Sequence, residues 1–369
     1  MKIGIDLLWV RVGKCGGTEA FIHSLISGFV QYDNENKYVL FTSEDNKESF
    51  RVYCKNRNFS MSVCPIKSKN RVVRIFWESS FLDRRAGHLG IDIMFIPVYS
   101  MPRLHGSGIP YITQIHDLQA FHYPEYFSVA KRFLFRQKWE YACRNANEIV
   151  TISNYCKNDL IKYFPYVKDK IHVIYIPIVK HVSRMPFEEL QERFGIKKEQ
   201  YFYCVSSLLP HKNLCTILAV MHERKKNHMI TDKLVISGVG GNERKLIKEV
   251  RRLGIQDLVV NTGFVENEVR DCLYENCKLF LFPSVFEGFG MPAIEAMQRG
   301  KAVVTTDKSC LVEVTQGKAI YVKKPTNVGE WMNKICIAQK RKAKTEEFRK
   351  YNLETVVHQY LEVFRRNTI

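Results

Sequence analysis

Two glutamates, Glu287 and Glu295, bracket a turn within Phe282-Pro-Ser-Val-Phe-Glu-Gly-Phe-Gly-Met-Pro-Ala-Ile-Glu-Ala-Met297. The turn follows an apolar, strand-like run, bends through Gly288 and Gly290, and reads as opening a helix with Pro292 at its first position. Backbone N–H groups at a glycine-rich helix start can approach an anion closely. Carboxylates repel phosphate, so the two glutamates are suited instead to accept hydrogen bonds from hydroxyls on either side of it. A ligand with hydroxyls at both ends and phosphate between them is a sugar nucleotide. Taken singly, each glutamate has a plainer reading: Glu295, placed in the first helical turn, complements the helix dipole, and Glu287 is a solvated loop residue.

Short apolar runs alternate with amphipathic stretches along most of the chain. Strand candidates are 3–9, 38–42, 91–97, 111–115, 148–152 and 171–176, then 201–206, 233–237, 258–261, 279–282 and 302–305. Runs this short and apolar suit strands buried on both faces. Helix-length segments lie between them, notably 18–30, 129–144, 213–226, 243–253 and 292–299. Such alternation specifies an α/β fold of parallel, doubly wound sheets. It lapses over 177–199, a charged stretch punctuated by Pro177 and Pro186, which reads as a linker. The expected architecture is therefore two doubly wound Rossmann-like domains, 1–176 and 200–344, facing across a cleft. Ligands of open parallel sheets bind at the carboxyl ends of the strands, so the cleft is the expected site. Segment 345–369 reads as a helix long enough to pack back on the N-terminal domain.

The stretch Glu287-Gly-Phe-Gly-Met-Pro-Ala-Ile-Glu295 resembles the E-x7-E signature of retaining glycosyltransferases of family 4, which have the GT-B fold. Other segments resemble that family in the same order along nearly the whole chain. Gly16-Gly17 resemble its N-terminal glycine loop, Ile115-His116-Asp117-Leu118 its H-D loop, and Thr151-Ile-Ser-Asn-Tyr-Cys-Lys-Asn-Asp-Leu160 its S-x-x-S-like element. Val205-Ser-Ser-Leu-Leu-Pro-His-Lys-Asn213 resembles V-G-x-x-x-P-R-K-N, and Thr262-Gly-Phe-Val265 the strand that carries G-F-V.

The resemblance implies a C-terminal domain that binds the nucleotide sugar and an N-terminal domain that binds the acceptor. Glu287 would bind donor-sugar hydroxyls with backbone N–H groups of Phe289, Gly290 and Met291 around Gly288, and Glu295 would bind the ribose. Lys212 would neutralise the diphosphate, with His211 beside it where Arg is common, and Gly263, Phe264 and Val265 would contact the base. His116 would stand near the reacting centre, Gly16 and Gly17 near the phosphates or acceptor, and Asp117 is a weaker acceptor candidate. The family also implies front-face attack, with cationic protein groups in place of a metal; neither metal nor other cofactor is expected. Within the resemblance, His116-Asp-Leu-Gln-Ala-Phe-His-Tyr-Pro-Glu-Tyr-Phe127 is most similar to mannosyltransferases, which implies GDP-mannose as donor.

The charge balance is far from neutral, 56 Lys and Arg against 38 Asp and Glu, or +18. That favours a polyanionic partner. Nine Lys/Arg fall between Arg51 and Arg85 against Glu78 and Asp83, with Ile75, Phe76, Trp77 and Phe81 interleaved, and Lys131-Arg-Phe-Leu-Phe-Arg-Gln-Lys-Trp139 has the same character. This suits an anionic membrane surface and a lipid-linked or oligosaccharide acceptor in surface-polysaccharide assembly. The alternative is that the aromatics are core and the charges a solvated face. The start of the chain does not read as a signal peptide, and eleven scattered cysteines read as reduced, so the expected location is cytoplasmic, peripheral on the inner face of the cell membrane. Nucleic acid is not an expected partner: no zinc-finger or RNP signature is present, and the basic residues form no single array. A dinucleotide oxidoreductase is weakly signalled, because Gly238-Val-Gly-Gly241 is followed by Glu243 where the last glycine of G-x-G-x-x-G belongs. A sugar-nucleotide epimerase of the same fold is the nearest enzymatic alternative, separated by the need for an acceptor.

Overall fold

The computed structural model describes residues 1–229, 232–341 and 344–367. Two compact units emerge, one of Met1–Val179 with Arg349–Ile369 and one of Lys180–Phe348. The first holds a seven-stranded sheet and the second a six-stranded sheet. All strand pairs are parallel.

In the first unit the strands are β1 (Lys2–Asp6), β2 (Lys37–Ser43), β3 (Phe59–Cys64), β4 (Ile93–Ile96), β5 (Tyr111–Ile115), β6 (Glu148–Thr151) and β7 (Ile171–Val173). They lie in the order β3-β2-β1-β4-β5-β6-β7. The second unit contains β8 (Tyr201–Val205), β9 (Lys233–Ser237), β10 (Val259–Gly263), β11 (Leu279–Phe282), β12 (Val303–Thr306) and β13 (Ile320–Val322), ordered β10-β9-β8-β11-β12-β13. In each sheet the winding reverses beside its first strand, between β1 and β4 and between β8 and β11. Helices leave those two strands toward opposite faces, which opens a crevice at their carboxyl ends. The inner strands β4, β5, β8 and β11 are almost wholly buried and, apart from Thr113 and Gln114 in β5, largely apolar, as helix layers on both faces require.

Two strands differ from the sequence expectation. Phe59–Cys64 is the edge strand β3, half exposed, and the three-residue β13 closes the other sheet. The stretch 177–199 is divided between the units at Val179 and carries a helix, Phe187–Phe194, that buries Leu190 and ends on Gly195 in the left-handed region.

The C-terminal helix begins later than expected, at Leu353, and runs to Arg365. It packs on the Gly17–Tyr32 helix of the first unit. Phe364 meets Phe29 and Phe95, and the buried Tyr360 hydroxyl donates to Gln114 Oε1 at 2.9 Å. Gly28 makes the close approach possible. A Cβ there would lie 2.6 Å from Val357 Cγ2 and 2.7 Å from Leu353 Cδ1. Gly28→Ala should therefore cost about 1–3 kcal/mol of stability by overpacking, read as a lowered midpoint in chemical denaturation.

Candidate functional site

In the second unit, the loops after β8 and β11 meet where the winding reverses. Pro210–Lys212 forms a short 3-10 turn and Asn213 follows in the left-handed region. Lys212 Nζ lies 2.7 Å from Glu287 Oε1, with both side chains largely buried. The Val285 N–H donates to the His211 carbonyl at 2.8 Å, so the loops are joined through the backbone as well. Glu287 is held from its other side by its own N–H, which donates to Ser309 Oγ at 3.1 Å.

The helix after the glycine turn spans Met291–Gln298, so Pro292 is its second residue and Glu295 its fifth. Glu295 is therefore beyond the first turn, and its position is set by a neighbouring helix, Asn267–Asn276. Tyr274 OH donates to Glu295 Oε2 at 2.9 Å. Burial alone would lower the Arg270 pKa, but Glu295 and Asp271 outweigh it and hold the guanidinium more firmly charged. Gly290 caps the helix at φ +89°, and a Cβ there would lie 2.8 Å from Leu311 Cδ2. Backbone N–H groups of Phe289, Gly290 and Met291 thus open the helix that carries Glu295, one turn from the Lys212–Glu287 pair.

Gly263 ends β10, and Phe264 and Val265 follow it. The Gly238 N–H donates to the Gly263 carbonyl at 2.8 Å, which draws Gly238–Gly241 alongside. Phe264 is 80% exposed, and its ring lies so close over Gly240 that any Cβ there would collide with it. A large aromatic face left in solvent beside a glycine-rich turn can stack on a planar ligand.

His211 departs from its expected role. Its ring is buried, and burial pushes its pKa down to about 4, so it brings no second cation to a phosphate at neutral pH. Its backbone carbonyl ties the two loops instead.

In the first unit, His116 stands at the carboxyl end of β5. It lines a cavity of about 460 Å³ together with residues that follow β1 and β4, among them Trp9, Arg11, Val98 and Tyr99. Its Nε2 pairs with the Pro97 carbonyl at 3.2 Å, so that nitrogen carries the proton and Nδ1 is the acceptor. Burial pushes the ring down to about 4. Cys156 donates through Sγ to the His116 carbonyl at 3.0 Å, and Ser153 caps the following helix, Asn154–Tyr163. The S-x-x-S-like element thus braces the His116 backbone.

Gly16 caps the Gly17–Tyr32 helix at φ +55°. The loop before it is already satisfied from within. The N–H groups of Gly13 and Cys15 donate to the Glu19 carboxylate at 2.9 and 3.3 Å, a contact the sequence reading missed. Asp117 lines the cavity, but its Oδ1 accepts from the Gln119 N–H at 2.9 Å. Arg270 and Tyr274 were also missed, because their helix was not among the segments read from the apolar pattern. Among the described residues no cluster of three or more His, Cys, Asp or Glu side chains could hold a metal, and no helix is long and apolar enough to cross a membrane.

Residues 15–179 match the model of Glycosyltransferase Family 4, and residues 186–355 match that of Glycosyl transferases group 1. The chain belongs to the glycosyltransferases. Curated relatives include O-antigen chain mannosyltransferase B of Escherichia coli, 26% identical over 59% of this chain and 58% of that protein. O-antigen chain mannosyltransferase RfbU of Salmonella typhimurium is 27% identical over 64% of this chain and 62% of that one. The alignments thus span about three fifths of these relatives' length. Among solved structures, Anabaena HepE in complex with UDP and glucose superposes with a TM-score of 0.72 at 18% identity, covering 99% of this chain and all of that one. WaaG, a glycosyltransferase involved in lipopolysaccharide biosynthesis, gives 0.67 at 15% identity over 99% of this chain and 95% of that one. These likenesses identify the GT-B fold.

Two outcomes follow for this glycosyltransferase. Glu295→Ala should weaken binding of both free nucleotide and nucleotide sugar by about 1.5–3 kcal/mol, whereas Glu287→Ala should impair binding only when the sugar is present. Calorimetry with each ligand separates them, and equal nucleotide affinity for wild type and Glu295→Ala would remove the ribose assignment. His116 and His211 should show no titration of their ring C–H resonances by NMR between pH 8 and 5.5, since both folded pKa values lie near 4.

Proposed function

We propose that this glycosyltransferase is a retaining hexosyltransferase that moves mannose from GDP-mannose to a sugar acceptor, lipid-linked, in surface-polysaccharide assembly. The observation that carries the reading is the Lys212–Glu287 pair at the winding reversal, one turn from the Gly290-capped helix that bears Glu295. Lys212 is a cation where a diphosphate would lie, and Glu287 an acceptor where sugar hydroxyls would lie. The ion pair at 2.7 Å keeps both charges compensated until a donor binds. On binding, Lys212 turns its charge to the diphosphate and Glu287 turns to the hexose.

The anomeric carbon–oxygen bond to the diphosphate breaks as the acceptor oxygen bonds to the same face of that carbon. The acceptor's hydroxyl proton passes to the departing phosphate oxygen. Negative charge grows on the leaving group, and Lys212 and the N-terminus of the Met291–Gln298 helix stabilise it electrostatically. Neutral His116, with Nδ1 free to accept, suits a hydrogen bond from a hydroxyl and adds no charge. Protein cations fill the role of a metal, so activity should survive a chelator.

The named activity of the relatives, mannosyl transfer to O-antigen chains, supports the choice of hexose. UDP in the HepE complex favours a second reading, a UDP-hexose. Slow hydrolysis of a panel of GDP-, UDP- and dTDP-sugars, followed by calorimetry with GDP and UDP, decides between them. Turnover of GDP-mannose and a tighter Kd for GDP are expected; a clear preference for UDP would remove GDP-mannose and leave the transferase.

Attachment to the cytoplasmic face of a membrane is part of the same proposal. Two helices of the first unit, Arg71–His88 and Val129–Asn145, expose Val72, Phe76, Val129 and Phe133 among Arg84, Lys131 and Arg136. Each basic residue near an anionic leaflet contributes about 1 kcal/mol. Co-sedimentation with liposomes should rise with phosphatidylglycerol content and fall with salt, and indifference to anionic lipid would count decisively against attachment.

A further inference from the structure

The cavity beside His116 contains more charge than donor chemistry explains. Arg11, Lys69, Arg71, Arg74 and Lys138 line it, against two acids, Glu78 and Asp117. Asp117 is committed to the Gln119 N–H, and Glu78 pairs with Arg74 at 3.3 Å. The other four cations make no ion pair among the described residues. Like charges gathered on one cavity wall disfavour one another's charged forms, and an anion between them relieves this. At Lys138 burial lowers the pKa, Glu78 opposes it, and Arg74, Arg71 and Arg103 lower it further.

The local helix points the same way. Ser68, Lys69 and Arg71 put the start of the Arg71–His88 helix on the cavity wall. The first turn of that helix has no acidic residue and begins with Arg71, a placement that works against the helix dipole. A bound anion would complement both the dipole and the arginines. Trp139 gives an independent sign. It is 4% exposed and lines the cavity, yet its indole N–H has no acceptor among the described residues. A buried N–H donor without an acceptor is rare in a folded protein.

We propose that this cavity is a phosphate subsite for the acceptor, taking a phosphate or diphosphate ester with Arg11, Arg71, Arg74 and Lys138 around it and the attached sugar against the rings of Tyr99 and Trp139. It rests on the transferase reading and names the substrate class: the acceptor is a phosphorylated saccharide and not a neutral one. A carboxylate offers one charge, whereas a phosphate monoester carries about −1.5 to −2 and matches the surplus better. Arginine forks also fit phosphate oxygens bidentately.

Intrinsic fluorescence tests the assignment on the full chain, because Trp9 and Trp139 both line the cavity. Inorganic pyrophosphate is titrated with GDP and UDP present at saturation, so that the nucleotide site is occupied. A saturable change is expected that Trp139→Phe largely removes. Arg11→Ser and Arg71→Ser, both at exposed positions and expected to melt as wild type, should each raise the half-saturating concentration at least fivefold. Farnesyl diphosphate should displace pyrophosphate, and phosphatidylglycerol vesicles should not. No saturable change, or curves unaltered in Arg11→Ser and Arg71→Ser, would overturn the subsite. Displacement by the vesicles and not by farnesyl diphosphate would assign the cavity to a membrane headgroup and overturn its role toward the acceptor. Failure of the transferase reading is a separate result: no nucleotide sugar would be hydrolysed while the pyrophosphate curves kept their variant dependence.

Discussion

A parallel sheet wound first one way and then the other has one place where neighbouring strands send their chains to opposite faces. No helix can cover the carboxyl edge there, and that uncovered edge governs the rest of the molecule. In the second unit it lies between β8 and β11, and the Lys212–Glu287 pair and the Gly290-capped helix both hang from it. Lys212 comes from the loop after β8, and Glu287 with the capped helix from the segment after β11. The strands themselves need only be apolar and short. Their burial on both faces makes the edge rigid, so loops anchored to it can hold a lysine and a carboxylate 2.7 Å apart across 75 residues of sequence.

The same constraint acts in the first unit with opposite chemistry. Between β1 and β4 the edge opens into a cavity faced by arginines and lysines rather than by a glycine turn with carboxylates. Similar topology therefore carries two different electrostatic characters. The wide surplus of positive charge in the sequence is concentrated in part on the helices that border this cavity. A net charge by itself says only that a polyanion is welcome. Its placement says where.

Much of this was legible in the sequence, and the reasons are local. Strands such as β4 and β11 announce themselves because burial on both faces demands an unbroken apolar run. Glu287 and Glu295 were legible because glycines at fixed places between them mark a turn into a helix. What escaped notice depends on contacts distant in sequence or on edges. The edge strand β3 alternates buried and exposed residues, so it lacks the apolar run, and its polar positions were absorbed into a basic patch. Tyr274 reaches Glu295 from a helix whose own pattern gave no reason to single it out. Glu19 satisfies the glycine loop in a way that spacing alone does not distinguish from an open anion site. His211 looked like a weakened arginine, and only its burial shows it to be neutral.

Buried ionisable groups leave the fold with opposing demands on pH. His116 and His211 have folded pKa values near 4, below the ordinary value of about 6.5, so between these limits the unfolded chain binds more protons. Their contribution is fully present above the unfolded value and is lost as pH falls toward 4. Asp6 and Glu78, raised above their ordinary values chiefly by burial, act in the other direction. The folded chain holds their protons longer, so their contribution is present at low pH and is lost as pH rises through the folded values. Arg74 reduces that loss by favouring both charged carboxylates. It does so most strongly while no second anion shares its charge. An anion bound there would draw on the charge that Glu78 needs, so occupancy and the protonation of Glu78 are thermodynamically linked, each favouring the other.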